Sequence, residues 1–212
     1  MNKNLSKTHL AISTQKLRGD FVLQTAKLLT PTLYKEILTN YRFVGQTPRP
    51  FTLKLKRMFG NKPLIGVEIG FCHGENAKSI LQELNIKKLY SIEPYLGMIH
   101  KDYVGVFKGI LPETAKQILK SKKIIMIQKT SNTAINHLPK KVDFVYIDGS
   151  HEYKHVIQDL INYYPLVKKG LVGGHDLHHE CLGVINAVIN FSVELGKSPI
   201  IKYPDFWYEK VN

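Results

Sequence analysis

Residues 142–153 read VDFVYIDGSHEY, an apolar run that stops at a carboxylate and turns at once. Val142–Ile147 is rich in β-branched and aromatic residues, which is typical of a strand covered on both faces. After Asp148, Gly149 permits a tight turn and Ser150 is a suitable N-cap for a helix. The stretch predicts a buried strand that leads directly into a helix, with a charged side chain at the junction.

The same alternation of strand and helix continues through residues 63–212. Strands that alternate with helices predict an α/β fold with a parallel, doubly wound sheet. In such a sheet, ligands bind outside the carboxyl ends of the strands. The predicted strands are Leu64–Ile69, Lys88–Glu93, Lys123–Gln128, Val142–Asp148, Leu171–Asp176 and two weaker ones at Pro199–Tyr203 and Phe206–Glu209; the predicted helices are Gly74–Leu84, Pro112–Lys120, Ser150–Val167 and Cys181–Leu195.

Composition places the chain among globular proteins. Its 212 residues, 43% hydrophobic and 22% charged, suffice for one domain and an appended segment. No apolar run approaches the length of a bilayer span, and the first residues lack the apolar block of a signal peptide. Two cysteines provide no disulfide framework, so we expect a cytoplasmic protein.

The positive charge is concentrated in the first part of the chain. Residues 1–62 hold 12 of the 30 Lys and Arg against only Asp20 and Glu36, a net charge of +10. Residues 63–212 hold 18 Lys and Arg against 15 Asp and Glu, a net charge of +3. This separation argues against one basic groove across the whole protein.

The basic first segment predicts helices around Thr14–Leu29 and Thr32–Tyr41, then a linker over residues 44–63 that Pro48, Pro50 and Pro63 punctuate. Residues 47–62 alternate basic and apolar side chains and could contact a membrane surface or nucleic acid. The favoured interpretation is a solvated helix and linker that covers the active site or forms a homodimer contact. We therefore predict a segment at 1–62 and a domain at 63–212.

The stretch VEIGFCHGENA contains two glycines between a strand and a helix. Gly70 and Gly74 let the backbone turn tightly and approach a ligand. A dinucleotide fingerprint would need glycine in place of Cys72, and a G-x-x-x-x-G-K-[ST] phosphate loop is absent from the sequence. Glu68, at the strand end, disfavours a pyrophosphate and tolerates a cationic ligand.

The next strand, LYSIEPY, ends in Glu93, 23 residues after Gly70. A carboxylate at this position can accept both hydroxyls of a ribose. Glu68 and Glu93 could also be ordinary strand-end charges. Ligand contact is favoured because both lie at the carboxyl ends of neighbouring predicted strands.

VEIGFCHG and SIEPY together resemble the first two motifs of class I S-adenosylmethionine-dependent methyltransferases. The resemblance covers about residues 63–212 and implies a Rossmann-like seven-stranded sheet with one antiparallel strand. KTSNTAINHL resembles the stretch that catechol-type O-methyltransferases lay along adenine, although Ser131 could simply cap a helix. The implied S-adenosylmethionine-binding residues are Glu68, Gly70, Phe71, Gly74, Asn76, Glu93, Ser131, Asn132 and Asp148.

LVGGHDLHH supplies further polar residues at the end of the fifth strand. Together with Asp148, it resembles the metal sites of small macrocin-type O-methyltransferases. That resemblance implies a divalent metal, Mg or Mn, on Asp148, His175 and Asp176, and His151 as general base. His175 departs from the family pattern, and imidazole is a poor magnesium ligand. His178 and His179 are interpreted as loop residues at the rim.

Three functions compete. The favoured one is an O-methyltransferase for a hydroxyl of a small molecule or saccharide, in which catalytic His151, with an ordinary pKa of about 6.5, takes the proton beside Asp148. A nucleic-acid methyltransferase that uses the basic segment is the alternative. The third is a non-catalytic binding module that keeps the donor pocket, against which the joint presence of Asp148, His151 and Asp176 argues. The acceptor is left open.

Overall fold

The computed structural model describes residues 47–94, 113–178 and 181–211. The predicted helices around Thr14–Leu29 and Thr32–Tyr41 lie outside these residues, as does His179. Within the described residues, no helix is both long enough and apolar enough to span a membrane.

Seven strands form one mixed sheet in the order β3-β2-β1-β4-β5-β7-β6. Strands β1 to β5 are parallel, and β7 runs antiparallel to both β5 and β6. The predicted doubly wound sheet with a final hairpin is confirmed. The strands are β1 (Leu64–Ile69), β2 (Ile86–Ile92), β3 (Ile124–Ile127), β4 (Val142–Ile147), β5 (Val167–Gly174), β6 (Ile200–Lys202) and β7 (Asp205–Lys210).

The four helices predicted within the described residues are present and differ mainly at their ends, and two further α-helices are also present. The helices are α1 (Pro50–Phe59), α2 (Glu75–Glu83), α3 (Glu113–Leu119), α4 (Ser131–Ala134), α5 (Tyr153–Tyr163) and α6 (Leu182–Leu195). The prediction that Ser150 caps α5 is wrong, because Glu152 is at the N-cap. The Ser150 hydroxyl instead accepts a hydrogen bond from the N–H of Glu152, at 3.2 Å, within the turn.

Helices cover both faces of the sheet, as the uninterrupted apolar strands require. Adjacent residues of β7 alternate between the two cores: Trp207 packs in one, and Phe206 and Tyr208 in the other. One core also contains side chains of α1, α2 and α3. The other contains side chains of α4, α5 and α6.

Helix α1 corrects the predicted linker. Phe51 and Leu55, one turn apart, are both 0% exposed. The ring of Phe51 makes edge contacts with the rings of Phe144, Tyr146 and Trp207. The prediction of a linker is therefore wrong over Pro50–Phe59, which is part of the core. The predicted domain boundary at residue 63 stays a prediction.

A buried carboxylate fastens α1 to the sheet. Asp205, 0% exposed at the start of β7, accepts a hydrogen bond from the N–H of Phe51 at 2.9 Å. Its other oxygen accepts one from the hydroxyl of Tyr146, also at 2.9 Å. Both acceptor oxygens of a buried acid are thus satisfied, and α1, β4 and β7 meet at one point.

Candidate active site

The carboxyl ends of the central strands lie side by side. The N–H of Asp148 donates to the carbonyl of Ile69 at 2.7 Å, and the N–H of His175 donates to the carbonyl of Ile147 at 3.0 Å. The N–H of Gly70 bonds the neighbouring β2 in the same way. The sheet ladder therefore continues one residue beyond the strands and sets Gly70, Asp148 and His175 along one edge.

Gly70 permits the ends of β1 and β4 to touch. Its φ is +92°, and a Cβ built there would lie 1.9 Å from the carbonyl oxygen of Asp148. Gly74, with φ +81°, precedes α2, and a Cβ there would meet the ring of Phe71 at 2.6 Å. Both glycines of the predicted donor loop are thus required by close packing as well as by backbone conformation.

Three predicted donor-binding side chains are buried. Glu68 is 1% exposed, and it accepts hydrogen bonds from the Asn76 amide at 3.0 Å and the Ser91 hydroxyl at 3.1 Å. Burial raises the pKa of Glu68 to about 8, so the negative charge predicted at this strand end is largely absent near neutrality. Phe71 is 2% exposed and packs in the core. Donor contact through Glu68, Phe71 and Asn76 stays a prediction, and the loop backbone is the better candidate.

Glu93 lies directly beside the glycine loop. Its carboxylate accepts a hydrogen bond from the N–H of Cys72 at 3.2 Å. Cys72 has a φ of +46°, the left-handed conformation within the loop. The structure therefore brings together the loop and the acid that the sequence predicts for one ligand.

Ser131 and Asn132 lie in the first turn of α4, where they contact α5. Ser131 is the first helical residue and Thr130 is at the N-cap, so the alternative interpretation of Ser131 as a helix cap is wrong. The carbonyl of Ser131 accepts a hydrogen bond from the hydroxyl of Tyr163 at 2.6 Å, and Asn132 accepts one from Asn162 at 3.3 Å. Their predicted adenine contact stays a prediction.

A cluster of five polar side chains occupies the edge beyond β4 and β5. Asp176 is at its centre: Oδ2 lies 2.8 Å from Nε2 of His151, and Oδ1 lies 2.8 Å from Nδ1 of His175 and 3.3 Å from Nε2 of His178. Oδ1 of Asp148 lies 3.7 Å from Nδ1 of His175. Asp148, His151 and Asp176 thus belong to one cluster, as the sequence predicts.

The cluster faces a shallow cavity of about 210 Å³, including space open to solvent. Its lining combines apolar side chains from β4, α5, α6 and β7 with four of the polar side chains of the cluster, since His178 does not line it. The lining residues are Ile147, Asp148, Gly149, Ser150, His151, Val156, His175, Asp176, Val184 and Phe206.

A family model described as a methyltransferase domain matches residues 67–177, just over half of the chain. The chain belongs to this methyltransferase domain family. The matched residues run from β1, through the glycine loop and Glu93, to the Asp148 and Asp176 strand ends. The predicted class I S-adenosylmethionine-dependent methyltransferase resemblance is confirmed.

The chain is similar to other proteins in sequence and in fold. An uncharacterised protein of Acanthamoeba polyphaga mimivirus is 29% identical over 121 residues, which are 55% of this chain and 52% of that protein. The chain thus spans about half the length of that relative. A TDP-rhamnose 3'-O-methyltransferase of calicheamicin biosynthesis superposes with a TM-score of 0.57, at 10% identity, over 100% of this chain and 97% of that one.

A third similar structure contains the demethylated product of the donor. It is a Streptococcus mutans protein assigned as a methyltransferase, in complex with S-adenosylhomocysteine. It superposes with a TM-score of 0.53, at 14% identity, over 76% of this chain and 97% of that one. At these identities, the structural likenesses establish the common fold.

The residues around the glycine loop fit S-adenosylmethionine. The glycine loop leads into the N-terminus of α2, and Glu93 is half-buried next to Cys72 in that loop. A carboxylate has about four lone-pair sites, so Glu93 can accept ribose hydroxyls as well as the loop N–H. The predicted donor is therefore compatible with the observed geometry.

The pKa values of His151 and Asp148 in the polar cluster are shifted from their ordinary values. Hydrogen bonds with Asp176 and then Cys181 raise the pKa of His151 to about 10, although burial opposes this. The expectation of an ordinary His151 pKa is therefore wrong. Burial raises the pKa of Asp148 to about 6, an effect that nearby His175 reduces.

Sequence reasoning missed three members of the methyltransferase site. His178 is 4% exposed and contacts Asp176, so its interpretation as a rim residue is wrong. Sγ of Cys181 lies 3.5 Å from Nε2 of His178. The three-residue spacing of His178 and Cys181 was the sequence signal that could have indicated their contact. Arg49 is the third member; it lies in the predicted linker, where no sequence signal indicated a role in the site.

Arg49 immediately precedes α1 and reaches the strand ends. Its guanidinium Nη1 contacts Nε2 of His175, and Nη2 lies 3.9 Å from Oδ2 of Asp148. The Arg49 side chain is 11% exposed. The cluster therefore contains a positive charge, the guanidinium of Arg49 at the N-cap of α1.

The three predicted metal ligands come together but do not fit a resident divalent metal. Asp148, His175 and Asp176 each offer one atom, and these atoms all lie within 4.8 Å of one another. However, both ring nitrogens of His175 are engaged, one by Arg49 and the other by Asp176. A metal here would displace these contacts and lie next to a guanidinium.

Proposed function

We propose that this methyltransferase transfers a methyl group from S-adenosylmethionine to a hydroxyl oxygen of a small molecule or saccharide. The observation that carries the proposal is the 2.8 Å contact between His151 and Asp176 at the strand edge that also holds the donor loop. An imidazole held by a buried carboxylate is an arrangement suited to proton abstraction from an alcohol.

In the proposed reaction, the acceptor oxygen forms a bond to the methyl carbon while the bond from that carbon to sulfur breaks. The hydroxyl proton goes to the neutral form of His151, whose population grows as the pH rises towards the raised pKa of about 10, and S-adenosylhomocysteine leaves as a neutral thioether. Asp176 orients the imidazole of His151 and stabilises its protonated form. The protein's other contribution is to hold the oxygen, carbon and sulfur in line.

The donor would lie along the strand edge. The backbone of Gly70–Gly74 would hold its methionine end and Glu93 its ribose, with Ser131 and Asn132 beside the adenine. Glu68 and Asn76 would support the loop from below through their buried hydrogen bond. The proposal contains no metal-dependent step, because the predicted metal ligands are engaged by Arg49 and by one another.

The test is a pair of histidine variants. We expect His151→Ala to lower turnover by about 10²–10⁴-fold, the usual contribution of a general base. Affinity for S-adenosylhomocysteine, measured by calorimetry, should be unchanged because His151 is the proton acceptor and does not hold the donor. The exposed His137 provides the matched control, His137→Ala.

Turnover is measured as S-adenosylhomocysteine formation with a panel of monosaccharides, nucleotide sugars and phenols. Equal rates for His151→Ala and the unmodified protein would refute the base assignment. Methylation of RNA, with no methylation of any small molecule in the panel, would instead support the nucleic-acid alternative.

A further inference from the structure

We propose that the guanidinium of Arg49 is the resident cation of this site and excludes divalent metals from Asp148 and His175. The inference concerns residues that the family resemblance assigns to a metal. It does not depend on the identity of the acceptor or on His151 being the base.

The first argument is the position of Arg49. Its two terminal nitrogens face the two residues that follow β4 and β5: Nη1 contacts His175, and Nη2 lies 3.9 Å from Asp148. The imidazole of His175 is 2% exposed and the guanidinium 11% exposed, so the contact is shielded from solvent. A positive charge therefore lies where a cation bound to these two residues would lie.

The second argument is the hydrogen-bonding capacity of His175. A guanidinium only donates, so Nε2 of His175 must be the acceptor. The remaining nitrogen, Nδ1, then carries the proton and donates to Oδ1 of Asp176 at 2.8 Å. This tautomer leaves His175 without a lone pair to offer a metal.

The third argument is the state of the two carboxylates. Asp176 contacts three imidazoles, those of His151, His175 and His178. Asp148 has one oxygen 3.9 Å from Arg49 and the other 3.7 Å from His175. An incoming divalent ion would meet repulsion from the guanidinium before it gained either acid as a ligand.

The fourth argument is that Arg49 is held in place. The next residue but one, Phe51, is fully buried, and its N–H is bonded to Asp205. Arg49 has φ −62° and ψ 147°, the extended conformation that a following proline favours. The backbone of Arg49 is therefore held beside the strand ends, which keeps its guanidinium within reach of His175 and Asp148.

The experiment is a Mn²⁺ titration followed by electron paramagnetic resonance. It compares the unmodified protein with Arg49→Met, which keeps an apolar stem and removes the charge. Arg57→Met is the matched control, since Arg57 is exposed on the same helix. We expect Arg49→Met to bind Mn²⁺ at least roughly tenfold more tightly than the other two proteins, and Asp148→Asn in that background to abolish the gain.

Two results would overturn the proposal. One is stoichiometric Mn²⁺ binding by the unmodified protein that Asp148→Asn abolishes. The other is equal Mn²⁺ affinity of the unmodified protein and a folded Arg49→Met variant. If circular dichroism shows that Arg49→Met is unfolded, Mn²⁺ binding by the unmodified protein is the deciding measurement. Absence of an Asp148-dependent Mn²⁺ site then supports Arg49 as the resident cation. Presence of such a site refutes the proposal.

Discussion

Gly70 lies at the closest approach of the β1 and β4 ends, where backbone meets backbone. We expect Gly70→Ala to destabilise the protein by at least about 2 kcal/mol, because the new Cβ would overlap the Asp148 carbonyl and the strand ends would have to separate. S-adenosylhomocysteine binding should weaken with it. Chemical denaturation and calorimetry measure the two effects.

Gly60→Ala is the matched control for that prediction. Gly60 also has a positive φ, +54°, but a Cβ there would have nothing within 4 Å. With ψ −124° the backbone of Gly60 lies outside the left-handed helical region, so its substitution should cost only backbone strain, about 1–3 kcal/mol, and leave product binding intact. Equal effects of the two substitutions would show that the close approach at Gly70 has no energetic importance.

Glu68 predicts a pH dependence of stability. Burial raises its pKa from 4.5 to about 8, so the folded protein keeps a proton that the unfolded chain loses above about pH 4.5. The unfolded state binds fewer protons in this window, and stability should fall as pH rises from about 5 to about 8. Glu68→Gln, which stays neutral, should progressively gain stability relative to the unmodified protein over that range.

Urea denaturation at several pH values measures this difference. The exposed Glu75 supplies the control variant Glu75→Gln, for which we expect no comparable trend. A stability difference between Glu68→Gln and the unmodified protein that stays constant from pH 5 to 8 would contradict the assignment of a neutral, buried acid.

Among the elements, α1 shows how a core helix can be mistaken for a linker. Its fully buried apolar residues are Phe51 and Leu55, with partly buried Met58 and Phe59 packed on the same core, and its other residues include lysines, an arginine and exposed Leu53. The prolines before it look like punctuation, although Pro50 is at a favourable first helical position. Its partners Tyr146 and Trp207 are far along the chain, so no local pattern indicates the docking.

We expect Phe51→Ala to destabilise the protein by about 3–5 kcal/mol, the range for deleting a buried aromatic ring. Leu53→Ala on the same helix should change stability by no more than about 0.5 kcal/mol, because Leu53 is 38% exposed. Thermal and chemical denaturation provide the comparison. Equal, small effects would indicate that α1 is only loosely attached to the sheet.

At the scale of the whole molecule, three lysines of residues 47–62 pair with acidic residues of the sheet domain, although the side chains of Lys56 and Lys62 stay more than half exposed. Nζ of Lys54 lies 2.5 Å from Glu209, that of Lys56 2.7 Å from Glu83 and that of Lys62 3.3 Å from Asp143. Each lysine thus has an acidic partner elsewhere in the described residues. This pairing favours a segment that covers the domain over one that binds nucleic acid or membrane.

The triple variant Lys54→Gln, Lys56→Gln, Lys62→Gln tests that interpretation. We expect its affinity for single-stranded RNA, measured by fluorescence anisotropy at several salt concentrations, to match that of the unmodified protein. Three lost phosphate contacts would instead reduce the logarithmic salt slope by about 2. Such a reduction would favour the nucleic-acid methyltransferase.

The sequence predicted the sheet well because its strands are short, buried and bounded by turns. It also predicted Gly70, Glu93, Asp148 and Asp176 at one edge, since parallel strands align their carboxyl ends. It could not predict Arg49, which meets His175 across 126 positions of the chain. Nor could it show that Glu68 is buried and bonded to Asn76, because exposure depends on the completed fold.

The bond between Phe51 and Asp205 has a consequence for biosynthesis. Its two partners are 154 positions apart, so Asp205 is synthesised long after Phe51 has left the ribosomal tunnel. Contacts of such long range form late, after the shorter loops have closed. The bond that fastens the start of α1 therefore cannot form until the final hairpin has been synthesised, so the docking of α1 follows the synthesis of the strands against which it packs.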